Sequence, residues 1–246
     1  MGPMARPGIG NSVEGIHAVT AALAAGRVEH LMVERGRLDS LVDLVAEARR
    51  RGIAIETVAD VRAAAATEAP QGVVARCRPI APASLEAAVA ATTPAALLVL
   101  DHLEDPRNVG AVARSAVAAG IGALVIPEHR AAPLEATAFK AAAGALEHLP
   151  VVIASSIANV VDALKRLQVW TVGLDAGGSR SLFGLELLAE PVAVVLGAEG
   201  AGLSRLVGER VDLVASIPIL GPVESLNASV AAALAVYEVA RMRRRA

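Results

Sequence analysis

The chain has 246 residues, of which 54% are hydrophobic and 20% charged. That balance excludes general disorder and provides for a sizeable core. Aromatic residues make up only 2% and the net charge is −2, so any nucleic acid is bound without an aromatic stacking platform, and the charge argues neither for nor against such a partner. Cys77 is the single cysteine, which rules out a disulfide framework and a cysteine metal site. The histidines show no metal-binding spacing, so no metal is expected. The sequence shows no apolar signal segment and no run of 18 or more apolar residues, so no membrane span is expected and the cytoplasm is the default location.

Residues 1–12 are rich in glycine and proline and read as a loose N-terminus. From Val13 the pattern becomes regular. Glu14–Ala25 reads as a helix closed by Gly26, and Glu29–Val33 as a strand. Leu38–Arg51 has apolar residues at helical spacing and stops at Gly52. Ile53–Val58 is a strand, Ala59–Ala66 a short helix and Gly72–Cys77 a strand. Residues 13–80 thus form a small α/β domain. Three prolines within residues 79–96 mark a joint, and residues 81–95 are read as a linker. From 96 to 246, apolar strands alternate with helices. Ala95–Leu100, Ala123–Ile126, Val151–Ala154, Val169–Leu174, Val192–Leu196 and Leu213–Ile217 are the strands; continuous apolar runs of this kind indicate a mainly parallel sheet covered by helices on both faces. The last helix, from Ala228, is apolar almost all round, as expected of a helix buried in a core or a subunit interface.

Two arginine clusters, Arg49–Arg51 and Arg241 with Arg243–Arg245, read either as solvated helix ends or as phosphate contacts. The solvated reading is the simpler one for each.

Three stretches carry chemistry. The first is Asp101–Gly120, DHLEDPRNVGAVARSAVAAG. Pro106 cannot enter a helix interior and Asn108 can cap one. Arg114 interrupts a small, apolar helix face and needs an anion there: a carboxylate such as Glu199 or Glu224, or a substrate phosphate. The second is LGAEGAGLS, Leu196–Ser204, whose glycines let backbone approach a ligand closely. It lacks the Gly-Lys-Ser/Thr of a phosphate loop and the dinucleotide fingerprint. The third is Ile217–Ala231, a breaker-rich turn in which Ser225 and Asn227 sit where helix caps sit, at a polar loop between a buried strand and a buried helix. Capping alone accounts for both residues equally well.

In this order the three stretches, NxGxxxR at Asn108, Gly110 and Arg114, LGxEGxGLS, and IPxxGxVxSLNxSVA, resemble the SpoU (TrmH) family of SPOUT RNA ribose 2′-O-methyltransferases. GIHAV at Gly15–Val19 and QGVVARCRP at Gln71–Pro79 resemble the L30e-like RNA-binding domain of the bacterial members that methylate a guanosine of 23S ribosomal RNA. One segment departs: KAAAGA at Lys140–Ala145 has alanine where relatives often carry serine or cysteine.

The resemblance implies an α/β SPOUT domain with a C-terminal trefoil knot, an exception to the rule against threaded chains. It implies a homodimer, an RNA substrate and S-adenosylmethionine as cofactor, bound by Gly173, Leu174, Leu196, Gly197, Ile217 and Leu226. The implied catalytic residues are Arg114, Asn108, Glu199, Ser225 and Asn227. Arg114 would bind an RNA phosphate and polarise the 2′-oxygen, Asn108 would orient it, Glu199 would hold the guanidinium, and Ser225 and Asn227 would shape the pocket. No histidine counts among these motif positions, so no conventional base is evident, and arginine is a poor one. A transfer RNA or a resistance-conferring ribosomal site is the alternative target. A silent RNA-binding protein of the same fold is a further alternative, and an oxidoreductase is disfavoured by the missing fingerprint.

Overall fold

The apolar runs of the sequence become buried strands, and the computed structural model describes them within residues 9–198 and 200–244. The chain divides into two units, one comprising residues up to Ala81 together with Pro133–His148, the other Pro82–Ala132 and Leu149 onward.

The first unit contains β1 (Ser12–Glu14), α1 (Ile16–Ala24), β2 (Val28–Glu34), α2 (Val42–Arg50), β3 (Ala54–Val58) and β4 (Val73–Cys77). Its sheet has the order β1-β4-β2-β3, with β2 and β3 parallel and the other pairs antiparallel. The short helix expected over Ala59–Ala66 is instead a 3-10 turn, Val61–Ala64, capped by Asp60. Glu14 is fully buried, and its carboxylate is satisfied by the backbone N–H groups of Ala66 and Thr67 and by the Thr67 hydroxyl.

Residues 9–11 are not loose. Ile9 is buried and pairs with Ile80, and Gly10 donates to Leu134 O at 2.8 Å. Residues 1–8 lie outside the described residues. The arginines of 49–51 are partly committed: Arg50 and Arg51 pair with Glu47, and Arg51 also donates to the carbonyls of Leu23 and Ala24 at the end of α1.

A further departure concerns residues 133–148, which the sequence reading runs on as part of the second domain. Their helix, Ala136–Ala142, packs with the first unit. Apolar burial decides it. Phe139 is fully buried and stacks on Gly10, where any side chain would overlap the ring. The guanidinium of Arg27 lies 5.5 Å from the Phe139 ring centre and donates to Glu147 at 2.7 and 2.5 Å. Lys140, in the segment with the alanine departure, donates to Thr67 Oγ1 at 3.2 Å and to Ala69 O.

The second unit begins with α3 (Leu85–Val89), so 81–95 is not a free linker: Ala88 and Ala95 belong to the core. There follow β5 (Ala96–Leu100), α4 (Pro106–Ala118) and β6 (Ala123–Pro127). The excursion helix already described is α5 in chain order. Then come β7 (Val151–Ala154), α6 (Ile157–Arg166), β8 (Trp170–Leu174), β9 (Arg180–Ser181), β10 (Val192–Leu196), α7 (Arg205–Arg210), β11 (Leu213–Ser216) and α8 (Ala228–Arg243).

The seven strands run β7-β6-β5-β10-β8-β11-β9, and every pair is parallel. Helices α3, α6 and α7 cover one face. On the other, α8 packs against α4, β10 and the 3-10 turn at Glu186–Ala189. The strand order reverses between β5 and β10, and the carboxyl ends flanking such a reversal are where open α/β sheets hold ligands.

Helix α4 starts earlier than expected. Asp105 is its cap, accepting from Arg107 N at 2.8 Å, and Pro106 takes the first turn, where a missing N–H costs nothing. Asn108 therefore sits inside the first turn rather than at the cap. Helix α8 buries Ala232, Ala235, Val236 and Val239 but leaves Val230, Leu234 and Tyr237 exposed. Arg243 is not a solvated helix end: it donates to the carbonyls of Pro94, Ala95 and Glu190 at 2.8, 2.6 and 3.0 Å. Arg245 lies outside the described residues. No helix among the described residues is long and apolar enough to cross a membrane.

Candidate active site

Three neighbouring strands, β10, β8 and β11, end on one edge of the sheet, and their following loops come into contact. The contacts need glycine. A side chain at Gly197 would come within 2.0 Å of the Gly202 backbone, and Ala198 and Gly202 exchange backbone hydrogen bonds of 2.9 and 3.0 Å. A side chain at Gly178 would come within 2.4 Å of the Ala215 backbone. Asp175 N donates to Ala215 O at 3.0 Å, and Asp175 Oδ1 accepts from Gly177 N at 2.9 Å. The loop after β10 is thus closed on itself and the turn after β8 is fixed on the end of β11 by backbone, which is the reason for glycine-rich sequence at both places.

Between them lies a cavity of about 660 Å³. Leu174, Leu196, Gly197, Ile217 and Leu226 line it, as do Ser225 and Asn227. Gly173 does not. It is buried one residue earlier in β8, and its Cα faces Leu203 and Val211. Alternation along a strand sends Gly173 and Leu174 to opposite faces. Two carboxylates also line it: Glu224, considered from sequence only as a partner for Arg114, and Asp175, which the sequence motifs leave out. An acidic residue directly after a buried strand and before a Gly-Gly turn is the signal that points to Asp175.

Asn227 caps α8: its Oδ1 accepts from Ser229 N at 2.9 Å and from Val230 N at 3.4 Å. Its Nδ2 donates to Asn108 Oδ1 at 3.2 Å, joining α8 to the first turn of α4 across 119 residues of sequence. Capping and site-building are therefore the same act for this residue. Arg114 lies further along α4, exposed, and makes no ion pair with a described residue. The pairing with Glu224 considered above is not formed. Glu199 lies outside the described residues.

On the other side of β10, Asp101 ties the glycine loop to β5. Its N–H donates to Leu196 O at 2.7 Å, and its Oδ2 accepts from Ser204 N at 2.7 Å. The sequence reading finds no histidine at the motif positions; His102 nevertheless stands second in the first motif's stretch, beside Asp101.

Comparison with known proteins agrees with this geometry. The SpoU rRNA methylase family model matches residues 95–237, and the family model described as RNA 2′-O ribose methyltransferase substrate binding matches residues 12–83. The 23S rRNA (guanosine-2′-O-)-methyltransferase RlmB of Coxiella burnetii is 38% identical over 240 residues, which cover 94% of this chain and 96% of that one. The RlmB of Xylella fastidiosa is 38% identical over 247 residues, again 94% of this chain and 96% of the other. Among solved structures, the SpoU methyltransferase AviRb of Streptomyces viridochromogenes, in complex with AdoMet, superposes with a TM-score of 0.80 at 25% identity, covering 96% of this chain and 91% of that one. The parallel sheet, the carboxyl-edge cavity and the matches across both units lead to one assignment: the chain belongs to the SpoU rRNA methylase family.

Proposed function

We propose that this protein methylates a ribose 2′-hydroxyl of ribosomal RNA, with S-adenosylmethionine as donor and a guanosine of 23S RNA as target. The observation that carries the reading is the carboxyl-edge cavity, walled by Leu174, Leu196, Gly197, Ile217 and Leu226. Its size suits a nucleoside-sized ligand. Its wall fits the group in kind: aliphatic side chains for a purine, glycine backbone for close hydrogen bonds, and the carboxylates of Asp175 and Glu224 for hydroxyl or cationic parts. When bound, S-adenosylmethionine supplies a methyl group already activated by a sulfonium.

The residues of the chain do the rest. Asn227 and Asn108 lock the rim of the cavity, and Ser225 stands beside them. Arg114, exposed and without a protein counter-ion among the described residues, holds an RNA phosphate and draws the ribose hydroxyl into line. Glu199 orients the guanidinium. Residues 12–83 select the RNA, an assignment supported by the substrate-binding match over that range.

We further infer that the 175–182 and 217–226 loops close a trefoil knot, which the backbone contact of Gly178 with Ala215 and Ser216 supports. The protein works in the cytoplasm as a homodimer. The exposed apolar stripe of Val230, Leu234 and Tyr237 on α8 is the surface that a second copy would cover.

RNA labelled from methyl-tritiated donor tests the reading. A 2′-O-methyl group removes the nucleophile of alkaline cleavage, so the label is expected in an alkali-resistant dinucleotide containing guanosine. Label found wholly in mononucleotides means base methylation and ends the proposal. Primer extension on total RNA then maps the nucleotide.

A further inference from the structure

We propose that Asp175 makes the carboxyl-edge cavity discriminate the cationic methyl donor from its uncharged product, an inference that rests on the methyl-transfer reading above and deepens it.

Asp175 directly follows β8 and opens the turn that runs through Gly177 and Gly178. It lines the cavity together with Leu174, Leu196, Gly197 and Gly202. Backbone holds it there. Its N–H donates to Ala215 O at 3.0 Å, and its Oδ1 accepts from Gly177 N at 2.9 Å. The other oxygen reaches across to the glycine loop after β10: a side chain at Gly202 would come within 2.6 Å of Asp175 Oδ2. Glycine at 202 leaves the room that this oxygen occupies.

The turn explains only half of the carboxylate. A turn of this kind needs one side-chain acceptor, and asparagine supplies it as well as aspartate. The second oxygen and the negative charge are surplus to the turn. Among the described residues, Oδ2 has no hydrogen-bond donor and the carboxylate has no ion pair. Nor does the wall offer a cation. Apart from Asp175 and Glu224, its described residues are aliphatic residues, glycines, Ser225 and Asn227. Glu224 is exposed, whereas Asp175 is partly buried.

A negative charge in a partly enclosed cavity attracts a positive occupant more strongly than it would in bulk water. At neutral pH the donor has a sulfonium, an ammonium and a carboxylate, so its net charge is positive. When the methyl passes to the ribose oxygen, the carbon–sulfur pair stays on sulfur and the hydroxyl proton leaves for solvent. The product keeps a neutral thioether and has no net charge. Attraction to Asp175 is therefore stronger before transfer than after it, and the cavity fills with donor and empties of product. A carboxylate that held a ribose hydroxyl or the ammonium would act alike on both, because donor and product share those groups.

The test is calorimetric binding of three ligands to the full chain without RNA: S-adenosylmethionine, S-adenosylhomocysteine, and sinefungin, in which a protonated amine replaces the sulfonium. Asp175→Asn keeps an acceptor for Gly177 N and removes the charge. It is expected to weaken both cationic ligands by about tenfold, the effect of one charge pair at cavity-scale separation, and S-adenosylhomocysteine by less than about twofold. Asp175→Ser also keeps an acceptor and should do the same. In wild type, added salt should weaken the two cations more than the neutral product, a measurement that needs no substitution. Glu224→Gln, at an exposed position, should change the donor-to-product ratio by less than about threefold. An equal loss for all three ligands in Asp175→Asn assigns the carboxylate to a group they share and overturns the proposal. So does no loss for any of them, a wild-type salt dependence that is the same for all three, or a Glu224→Gln effect as large as that of Asp175→Asn. In each of those cases the ligands still bind wild type and the methyl-transfer reading stands. A wild type that binds none of the three overturns both.

Discussion

The two edges of the seven-stranded sheet handle the same kinds of residue in opposite ways. At the amino edge, the two terminal nitrogens of Arg243 donate to the carbonyls of Pro94, Ala95 and Glu190, while its buried Nε has no hydrogen-bond partner among the described residues. Beside it in the sheet, Asp212 accepts from Thr171 N and Oγ1 at 2.9 and 2.6 Å and pairs with Lys165 at 3.1 Å. At the carboxyl edge, Arg114 has no ionic partner among the described residues, Asp101 Oδ1 lacks a hydrogen bond, and glycine loops enclose a cavity. A charge most of whose polar atoms are bonded within the protein holds the fold; an exposed charge with no ion pair is open to a ligand. An arginine's sequence does not reveal which kind it is. Its partners do.

The largest effect expected from this contrast is at Arg114. Arg114→Ala should lower methyl transfer by about 1,000-fold, the scale on which a positioned charge acts, while donor affinity, by calorimetry, stays within about threefold. Melting should change little, because Arg114 is exposed and forms no ion pair with a described residue. A variant turning over at near wild-type rate would place Arg114 among the solvated arginines and erase the contrast.

Next in size is Gly197→Ala. The new methyl group would fall 2.0 Å from the Gly202 backbone, so the 197–204 loop must move and the cavity wall with it. Donor affinity should drop by about 100-fold, the cost of displacing several backbone contacts at once. Gly173→Ala sharpens the comparison: it meets Leu203 and Val211 below the sheet, so it should lower stability with a smaller effect on binding. Equal losses of binding at the two positions would contradict the assignment of the cavity wall.

Both glycines follow apolar residues of apolar strands, and the family resemblance puts them together at the site. Only the pleat, known once the strand is placed, separates them. What the sequence does make legible is whatever is written locally or in motif order. The buried strands β5, β6 and β10 show as unbroken apolar runs, and the turn before α8 shows as breakers followed by Asn227. The Asn108–Asn227 bond joins two of the three motifs. The excursion 133–148 was hidden, because Phe139 and Leu146 look like any apolar residues of an alternating α/β pattern, and nothing local says that their packing lies with Gly10 and Arg27. The start of α4 was misplaced because Asp105 and Asn108 are equally good caps, and Pro106 settles it only through its preference for the first turn.

At the amino edge the expected effects are on stability. Arg243→Ala leaves three carbonyls without their donor and should cost about 2–3 kcal/mol, a drop in melting temperature of roughly 5–10 °C for a chain of this size. Burial pushes the Arg243 pKa down, yet the guanidinium keeps its charge, so the loss should not vary between pH 6 and 9. Single-turnover methylation at low temperature should match wild type. A fall in turnover without a fall in melting would move Arg243 from scaffold to site.

The smallest effect concerns Asp212. Burial pushes its carboxyl up, but the hydrogen bonds from Thr171 and the pairing with Lys165 outweigh it, and the net shift is downward. A carboxyl whose folded pKa is depressed adds stability that is fully present above its unfolded value, about 3.9, and is lost as pH falls through the folded value. Asp212→Asn should therefore cost about 1 kcal/mol at pH 7, a modest amount because water screens the Lys165 pair. That difference should persist to about pH 4 and shrink below it, as wild type loses the same charge. Urea midpoints of the two proteins at pH 7 and pH 3 measure it. If the midpoints differ as much at pH 3 as at pH 7, the carboxylate charge contributes nothing, and the Thr171 hydrogen bonds alone hold this edge together.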